Sequence, residues 1–404
     1  MKRIRFWLIL VFLLVIISIA TMGCWDRREI EDLGIVMGIA IDSPKSTRGE
    51  EQERKESADY GERKEHRLTM TYQFVIPKNI GGQVGTPSTG KNPYSNTSSE
   101  GDTIFQTSRQ FSALKARTPF YRHLKVIIIS DKVASSVNMN KLLDGFIRDP
   151  EIGRDVEMMI AKGSARKVLE MEPEKEDIPA SSLVEMGKNF SSSSRMAPPL
   201  TLGNMSKKMA SGASFIMQRI VTCKKGIKLA GAAVIKGKTN TLLGWLGEEE
   251  TDGINWLSGE LKGGIVEAVD DKTKETIVYE INNVKSKIKP KVNGEEISFT
   301  VDIESEGRLA EDWTIQVDVF EEAFIQRVAQ EVEEEVRSVT QQALEKIQKE
   351  FKVDVVGFGK QLSIHYPDVW EKVKDNWDEE FSKASVEIKP KINIRRFGRR
   401  GTKM

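Results

Sequence analysis

Side chains suited to chemistry are few in this 404-residue chain, and they lie far apart. Its three histidines, His66, His123 and His365, share no HExxH pattern and no metal-ligand spacing. No GxSxG turn presents a serine nucleophile. The stretch Gly231-Ala232-Ala233-Val234-Ile235-Lys236-Gly237-Lys238-Thr239 comes near a phosphate loop, but five residues separate its glycines where four are required. Strand-like sequence also lies on both sides of it, whereas that loop needs a strand before and a helix after. Gly357-Phe358-Gly359 is a fragment of a dinucleotide fingerprint and reads as a turn. The runs Glu248-Glu249-Glu250 and Glu333-Glu334-Glu335 read as a dipole-favoured helix start and a solvated helix face. Neither alternates oxygen ligands around a turn glycine as a calcium loop does. His123 reads as a structural hydrogen-bonding residue and His365, before Tyr366-Pro367, as a turn residue. No catalytic residue, metal or cofactor is assigned, and the chain is read as a non-enzyme.

Two cysteines remain, Cys24 and Cys223. Cys223 reads as a small half-buried residue, because Lys224 and Lys225 alone do not activate a thiol. Cys24 has a more specific setting. Lys2, Arg3 and Arg5 precede an almost unbroken apolar run over residues 6–20, followed by Thr21-Met22-Gly23-Cys24. A spanning helix needs about 20 apolar residues, so residues 1–23 read as a signal peptide. Gly23-Cys24 resembles a bacterial lipobox, in which the thiol receives a diacylglycerol and the new N-terminus an acyl chain. Thr21 departs from the leucine usual at that place. A single acyl chain holds a protein marginally and two or more hold it stably. The expectation is a body anchored to the outer face of a bacterial cytoplasmic membrane.

That body is close to neutral. Without residues 1–23 it carries 58 basic against 60 acidic residues, which gives no footprint for nucleic acid. At 30% charged and 39% apolar, the chain can fold as about two or three domains.

The elements that must position any site follow from periodicity. Residues 33–42 read as a buried strand. Leu68, Met70, Tyr72, Phe74 and Ile76 alternate as a half-buried strand antiparallel to it. Residues 43–67 read as an exposed charged excursion and 78–103 as a mobile loop. A helix is expected over 104–117, and a strand covered on both sides from Leu124 to Ile129. Short helices follow at 141–148 and 165–171, with a strand at 156–161 between them. Strands at 213–222, 227–236 and 241–246 precede a helix at 248–257. An antiparallel set is then marked by Ile277, Tyr279 and Ile281; by Ile288 and Val292; and by Ile297, Phe299, Val301 and Ile303. A long amphipathic helix is expected near 320–351, from Val328, Val332, Val336, Val339, Ala343, Ile347 and Phe351. Val369, Val373, Trp377 and Phe381 predict one helix over 368–383, and a strand closes the chain. The fold class is α+β, with mixed, largely antiparallel sheets and helices packed on them in two to three subdomains. The division expected is an N-terminal α/β part at 24–206 and a C-terminal α+β part at 207–404.

Trp245 and Trp256 stand among glycines in Leu243-Gly244-Trp245-Leu246 and Gly253-Ile254-Asn255-Trp256-Leu257. Aromatics so placed are usually core, and the sharper alternative is an interface anchor. The long helix is likewise most often packed on its own sheet, docking a partner helix being the alternative.

Taken together, these segments resemble the spore germination protein C lipoprotein family, the Ger(x)C family. Gly23-Cys24-Trp25-Asp26-Arg27-Arg28-Glu29-Ile30 is similar to its most specific signature, and Tyr121-Arg122-His123-Leu124-Lys125-Val126-Ile127-Ile128-Ile129-Ser130 to its internal strand motif. Ala230-Gly231-Ala232-Ala233-Val234, Leu243-Gly244-Trp245-Leu246 and Gly253-Ile254-Asn255-Trp256 resemble the start of its C-terminal half. Asp354-Val355-Val356-Gly357-Phe358-Gly359, with Trp370, Trp377 and Phe381, resembles its C-terminal motif. The matches run in order over nearly the whole chain. The resemblance implies a lipid-anchored subunit of a nutrient germinant receptor in the spore inner membrane, beside two integral membrane subunits. Cys24 is then the lipidated residue, and Trp25, Asp26, Arg27, Arg28, Trp245 and Trp256 are the candidate partner-interface residues. The rival is a lipid-anchored solute-binding protein of a transporter, which expects two α/β lobes around a cleft. An exported wall hydrolase lacks an acid pair or metal site.

Overall fold

In a computed structural model, residues 3–7, 33–44, 67–79, 92–172, 176–223, 226–313 and 322–396 are described. They build an α+β protein around two sheets.

The first sheet has the order β3-β2-β1-β5-β6-β7-β8-β9, with β4 (Thr118–Phe120) beside the start of β1. Its centre is β1 (Leu33–Asp42), β5 (Val126–Ser130), β6 (Glu157–Lys162) and β7 (Phe215–Cys223), all parallel. Val126, Ile127, Ile128 and Ile129 are wholly buried because helices cover both faces of these strands. One face meets α1 (Ile104–Leu114), α2 (Asp131–Ser136), α3 (Met139–Arg148) and α6 (Leu202–Ala210). The other meets α4 (Ala165–Leu169) and α5 (Pro179–Lys188). Buried Asp42 ties β1 to α4, accepting the amides of Ala165 at 2.9 Å and Arg166 at 2.8 Å. On one flank β2 (Leu68–Val75) runs antiparallel to β1, as expected. On the other, β8 (Gly226–Lys236) and β9 (Thr241–Leu246) complete an antiparallel meander with β7. The sheet therefore continues through residue 246.

The second sheet, β10-β11-β12-β13, is covered on one face only. Its strands are β10 (Ile265–Val269), β11 (Thr276–Asn293), β12 (Glu296–Asp312) and β13 (Ser385–Arg396). β11 and β12 form one long hairpin turned at Gly294, whose φ of 62° favours glycine. The covering helix, α8 (Glu322–Glu345), buries Phe324, Val328, Val332, Val336 and Ala343. Between the two sheets lies α7 (Glu248–Ser258). Its Ile254, Trp256 and Leu257 share a core with Ala232, Val234 and Leu246 of the first sheet and with Phe299, Val301 and Ile303 of the second.

Several expectations are corrected. Within the supposed loop 78–103, Tyr94–Gly101 is strand β3, paired in register with β2. Its polar residues give no hydrophobic signal, and backbone pairing at the sheet edge places it. Residues 277–292 form one strand rather than two, because bulges absorb the break in alternation. The helix expected at 368–383 is broken into α10 (Pro367–Val373), a 3-10 turn at Lys374–Asn376 and α11 (Trp377–Lys383). The long helix closes with a π turn at Lys346–Glu350, where buried Gln348 donates to the carbonyls of Phe381 and Ala384. A further helix, α9 (Phe358–His365), stands where a turn was expected. Cys223 is exposed, not half-buried, at the end of β7. His123 is exposed, edge-on to the Phe120 ring. The charged excursion lies almost wholly outside the described residues.

Gly253 sets how closely α7 meets α8. A Cβ there would stand 2.3 Å from the Val339 carbonyl oxygen and 2.6 Å from the Ala343 Cβ. Alanine in an exposed helix gains up to about 1 kcal/mol over glycine. At this position Gly253→Ala is expected to destabilise by about 1–3 kcal/mol through overpacking. Urea unfolding checks it: the midpoint should fall with an unchanged slope, and a raised midpoint would mean the two helices are free to part.

Candidate functional site

Cys24, Trp25, Asp26, Arg27 and Arg28 lie outside the described residues. The two tryptophans paired with them as candidate anchors have different fates. Trp256 is 0% exposed, in the core shared by α7 and both sheets. It fills that core and presents nothing to a partner, which corrects its candidacy. Trp245 is partly buried on β9, with the Arg219 guanidinium 5.8 Å from its ring centre.

The segments singled out in the sequence come together as a joint between the sheets. Gly244 leaves room for the Phe351 ring, since a Cβ there would meet that ring at 2.6 Å. Gly231, at φ 69°, lets Arg219 lie across it, and Arg219 donates to the Ala230 carbonyl at 2.7 Å. Burial lowers the pKa of Arg219, opposed by Glu248 and Glu250. Buried Asn255 donates to the carbonyls of Ser194 at 2.7 Å and Met196 at 2.9 Å, tying α7 to the segment crossing beneath it. On the same helix burial pushes Asp252 up to about 6, against Ser194, Arg195 and Trp256.

A second knot forms around Asp354. One carboxylate oxygen accepts the amides of Val356 at 3.2 Å and Gly357 at 2.7 Å. The other accepts the Gly359 amide at 2.7 Å and the Trp377 indole at 3.1 Å. Gly357 turns the chain at φ 107°, and Gly359 accommodates both Trp377 and Trp370. The break after α10 brings Trp377 inward to this carboxylate. Thus Asp354 caps the helix Phe358–His365 and pins it to α11. The three- and five-residue steps from Asp354 to Gly357 and Gly359 carry this signal in the sequence, but only as a turn without its acceptor.

Beside the joint opens a cleft of about 850 Å³, lined by Arg195, Arg219, Glu248–250 and the end of the long helix, including Lys346 and Lys349. Much of its charge is engaged. Glu250 accepts the Gly247 amide, Lys228 pairs with Glu248 at 2.5 Å, Lys346 pairs with Glu350 at 2.5 Å, and Lys349 donates to the Ser382 carbonyl. Among the described residues no group of three or more His, Cys, Asp or Glu side chains is placed to hold a metal. His365 binds the Gln361 carbonyl at 2.9 Å and stays exposed. In the internal strand motif, Tyr121 joins the hydroxyls of Ser108 and Tyr72 inside the first core.

The described residues thus define a two-sheet α+β scaffold whose glycine, tryptophan and aspartate motifs serve as joints. The comparisons run over nearly the whole chain. Residues 26–222 match the spore germination protein N-terminal domain, and residues 230–398 the spore germination B3/GerAC-like C-terminal domain. The chain is 41% identical to spore germination protein YndF of Bacillus subtilis (strain 168), covering 95% of each chain. It is 31% identical to spore germination protein A3 of the same organism, covering 96% of this chain and 97% of that one. The crystal structure of the GerBC protein superposes with a TM-score of 0.59 at 26% identity, covering 91% of this chain and all of that one. The chain belongs to the Ger(x)C family of spore germination proteins.

Two outcomes follow. Asp354→Asn places an amide donor against groups that already donate, and is expected to cost about 1.5–3 kcal/mol. Urea unfolding followed by tryptophan fluorescence reads this, and an unchanged midpoint would remove Asp354 as the knot. Glu157 at the start of β6 has its pKa raised by burial from an ordinary value near 4.5 to about 7, Lys188 opposing and Glu185 reinforcing. Between those values the folded state keeps a proton that the unfolded state has lost. Its contribution therefore makes stability fall as pH rises from about 4.5 to about 7 and level off above. Allowing for partial solvent exposure, the drop is on the order of 1–2 kcal/mol. Glu157→Gln should flatten this part of the profile, as thermal unfolding across that range would show.

Proposed function

We propose that this chain is the lipid-anchored, non-catalytic subunit of a spore nutrient germinant receptor. It is held through Cys24 on the outer face of the spore inner membrane, beside two integral membrane subunits. The observation that carries the reading is end-to-end similarity to spore germination proteins, on a chain that opens with a signal-like segment running into Gly23-Cys24. Among the described residues no helix is long and apolar enough to cross a membrane.

The motif residues serve the scaffold, which fits a non-catalytic subunit. Gly244, Gly253 and Gly359 make room for neighbouring groups, Asn255 donates to backbone carbonyls, and Asp354 accepts backbone and indole donors. Groups used in this way hold a shape and are not free to move protons. A membrane-tethered body meets integral partners at high effective concentration, so modest surfaces suffice to assemble with them.

Cys24→Ala should move the protein out of the spore membrane fraction and weaken nutrient-triggered germination. Fractionation with intact-mass spectrometry of the wild type reads the anchor directly. A mature chain of unmodified mass, free of membrane, would overturn the proposal.

A further inference from the structure

The exposed face of the second sheet is not uniform. Along β11, Lys285, Lys287, Lys289 and Lys291 are all exposed, while Ser286, Ile288, Pro290 and Val292 between them are partly covered. Alternation puts the four lysines on one face, roughly 7 Å apart, in a row of about 20 Å. Among the described residues no strand pairs with this side of β11 beyond residue 280, and the end of α7 touches it at one point, where Ser286 donates to the Leu257 carbonyl at 2.7 Å. The row therefore lines a rim of the molecule.

Acids are present one strand inward. Lys289 pairs with Asp302 at 2.5 Å, and Glu304 stands opposite Lys285 in register. On β13, Lys389 pairs with Glu387, and Glu306 is taken by Arg395. Lys285, Lys287 and Lys291 have no ion pair among the described residues. From residue 282 to 294 the edge strand itself carries no acid. Viewed from the rim, positive charge comes first, with Asp302 and Glu304 one strand behind it and exposed Glu295 and Glu296 at the hairpin tip.

The geometry points to this rim as a docking edge for an anionic lipid surface, an inference that rests on the lipid-anchored reading and says how the tethered body is oriented. Charge complementarity selects this occupant. All four residues are lysines, compact charges without the fixed fork by which arginine grips a shaped carboxylate or phosphate. An evenly spaced row of such charges suits a plane of diffuse anions. No aromatic side chain is interleaved with the row, so nothing there stacks bases as a nucleic-acid groove does. Each lysine near an anionic bilayer strengthens attachment roughly fivefold, within a Debye length of about 10 Å. Lysines with a proline also guard a free strand edge against pairing with another chain, and the experiment separates that role.

The purified lipidated full-length protein is bound to vesicles of phosphatidylcholine alone, or of phosphatidylcholine and phosphatidylglycerol at about 2:1. A membrane-impermeant amine-acylating reagent is added, and labelling of each lysine is read by mass spectrometry. Labelling of Lys285, Lys287, Lys289 and Lys291 should fall roughly threefold or more on the anionic vesicles and recover at about 0.5 M salt. Lys162 on β6 and Lys360 on the opposite side of the second sheet should not change. Equal labelling on both vesicles overturns the docking edge. If the four-fold Lys→Gln variant then self-associates, edge protection is the role of the row. Protection seen only in native membranes with other proteins present, and not on these vesicles, overturns it in favour of an acidic protein partner. Flotation reads the anchor separately. A chain that floats with anionic but not neutral vesicles keeps the docking edge and loses the anchor, and one that floats with neither overturns both.

Discussion

The approach of α7 to α8 at Gly253 is the constraint on which the rest of the molecule depends. Without a Cβ at that point, Val339 and Ala343 come close enough for one helix to serve both sheets. Its Trp256 fills the core they share, and its Asn255 binds the segment running beneath the first sheet. The two sheets use different physics. The first hides a parallel centre under helices on both faces, whereas the second leaves one face to water. Had α7 been held off by one side chain, neither half could borrow apolar surface from the other. Interiors packed to crystal density tolerate little such displacement.

Asp354 repeats the same solution on a smaller scale. A carboxylate that takes three amides and an indole is well satisfied although it is 9% exposed. Charge-assisted bonds are about twice as strong as neutral ones, so a short helix without a serine or threonine cap can begin here. Trp377 donates to the same oxygen as Gly359, so the cap also fixes where α11 lies. Trp370 and Trp377 then stack edge to face at 5.4 Å over the glycine between them. Residues that look in sequence like a nucleotide fingerprint therefore serve to stop, turn and restart the chain.

How much of this was legible depended on whether the signal was local. The run Leu124 to Ile129 announced a strand covered on both faces, and the three- and four-residue steps of Val328, Val332, Val336 and Val339 announced the long helix. Both patterns record an element's own burial. β3 was hidden because Tyr94–Gly101 is polar and is placed by the free edge of β2. The break at Lys374–Asn376 was hidden because Val369, Val373, Trp377 and Phe381 keep an unbroken step of four while the backbone bends toward Asp354. At the site the limit was the same. Gly253 and Trp256 were visible as a dense aromatic and glycine segment, but whether the tryptophan faced a core or a partner depended on helices distant in sequence. Arg219 gave no sign at all, since its setting comes from Gly231 and Trp245 on two later strands.

The consumption of motif residues by joints has a consequence for where recognition can occur. Side chains locked by packing and backbone bonds cannot also rearrange around a ligand without loosening both sheets. Recognition must therefore use surfaces that the joints hold still. Helices cover both faces of the first sheet's centre, so little of that sheet itself is open. The second sheet is different, because α8 covers one face and the other is left exposed along the long β11–β12 hairpin. A rigid hairpin presenting fixed side chains loses little entropy when it meets a flat partner. Under the lipid-anchored reading proposed above, such a preformed surface would convert two-dimensional confinement into a defined orientation.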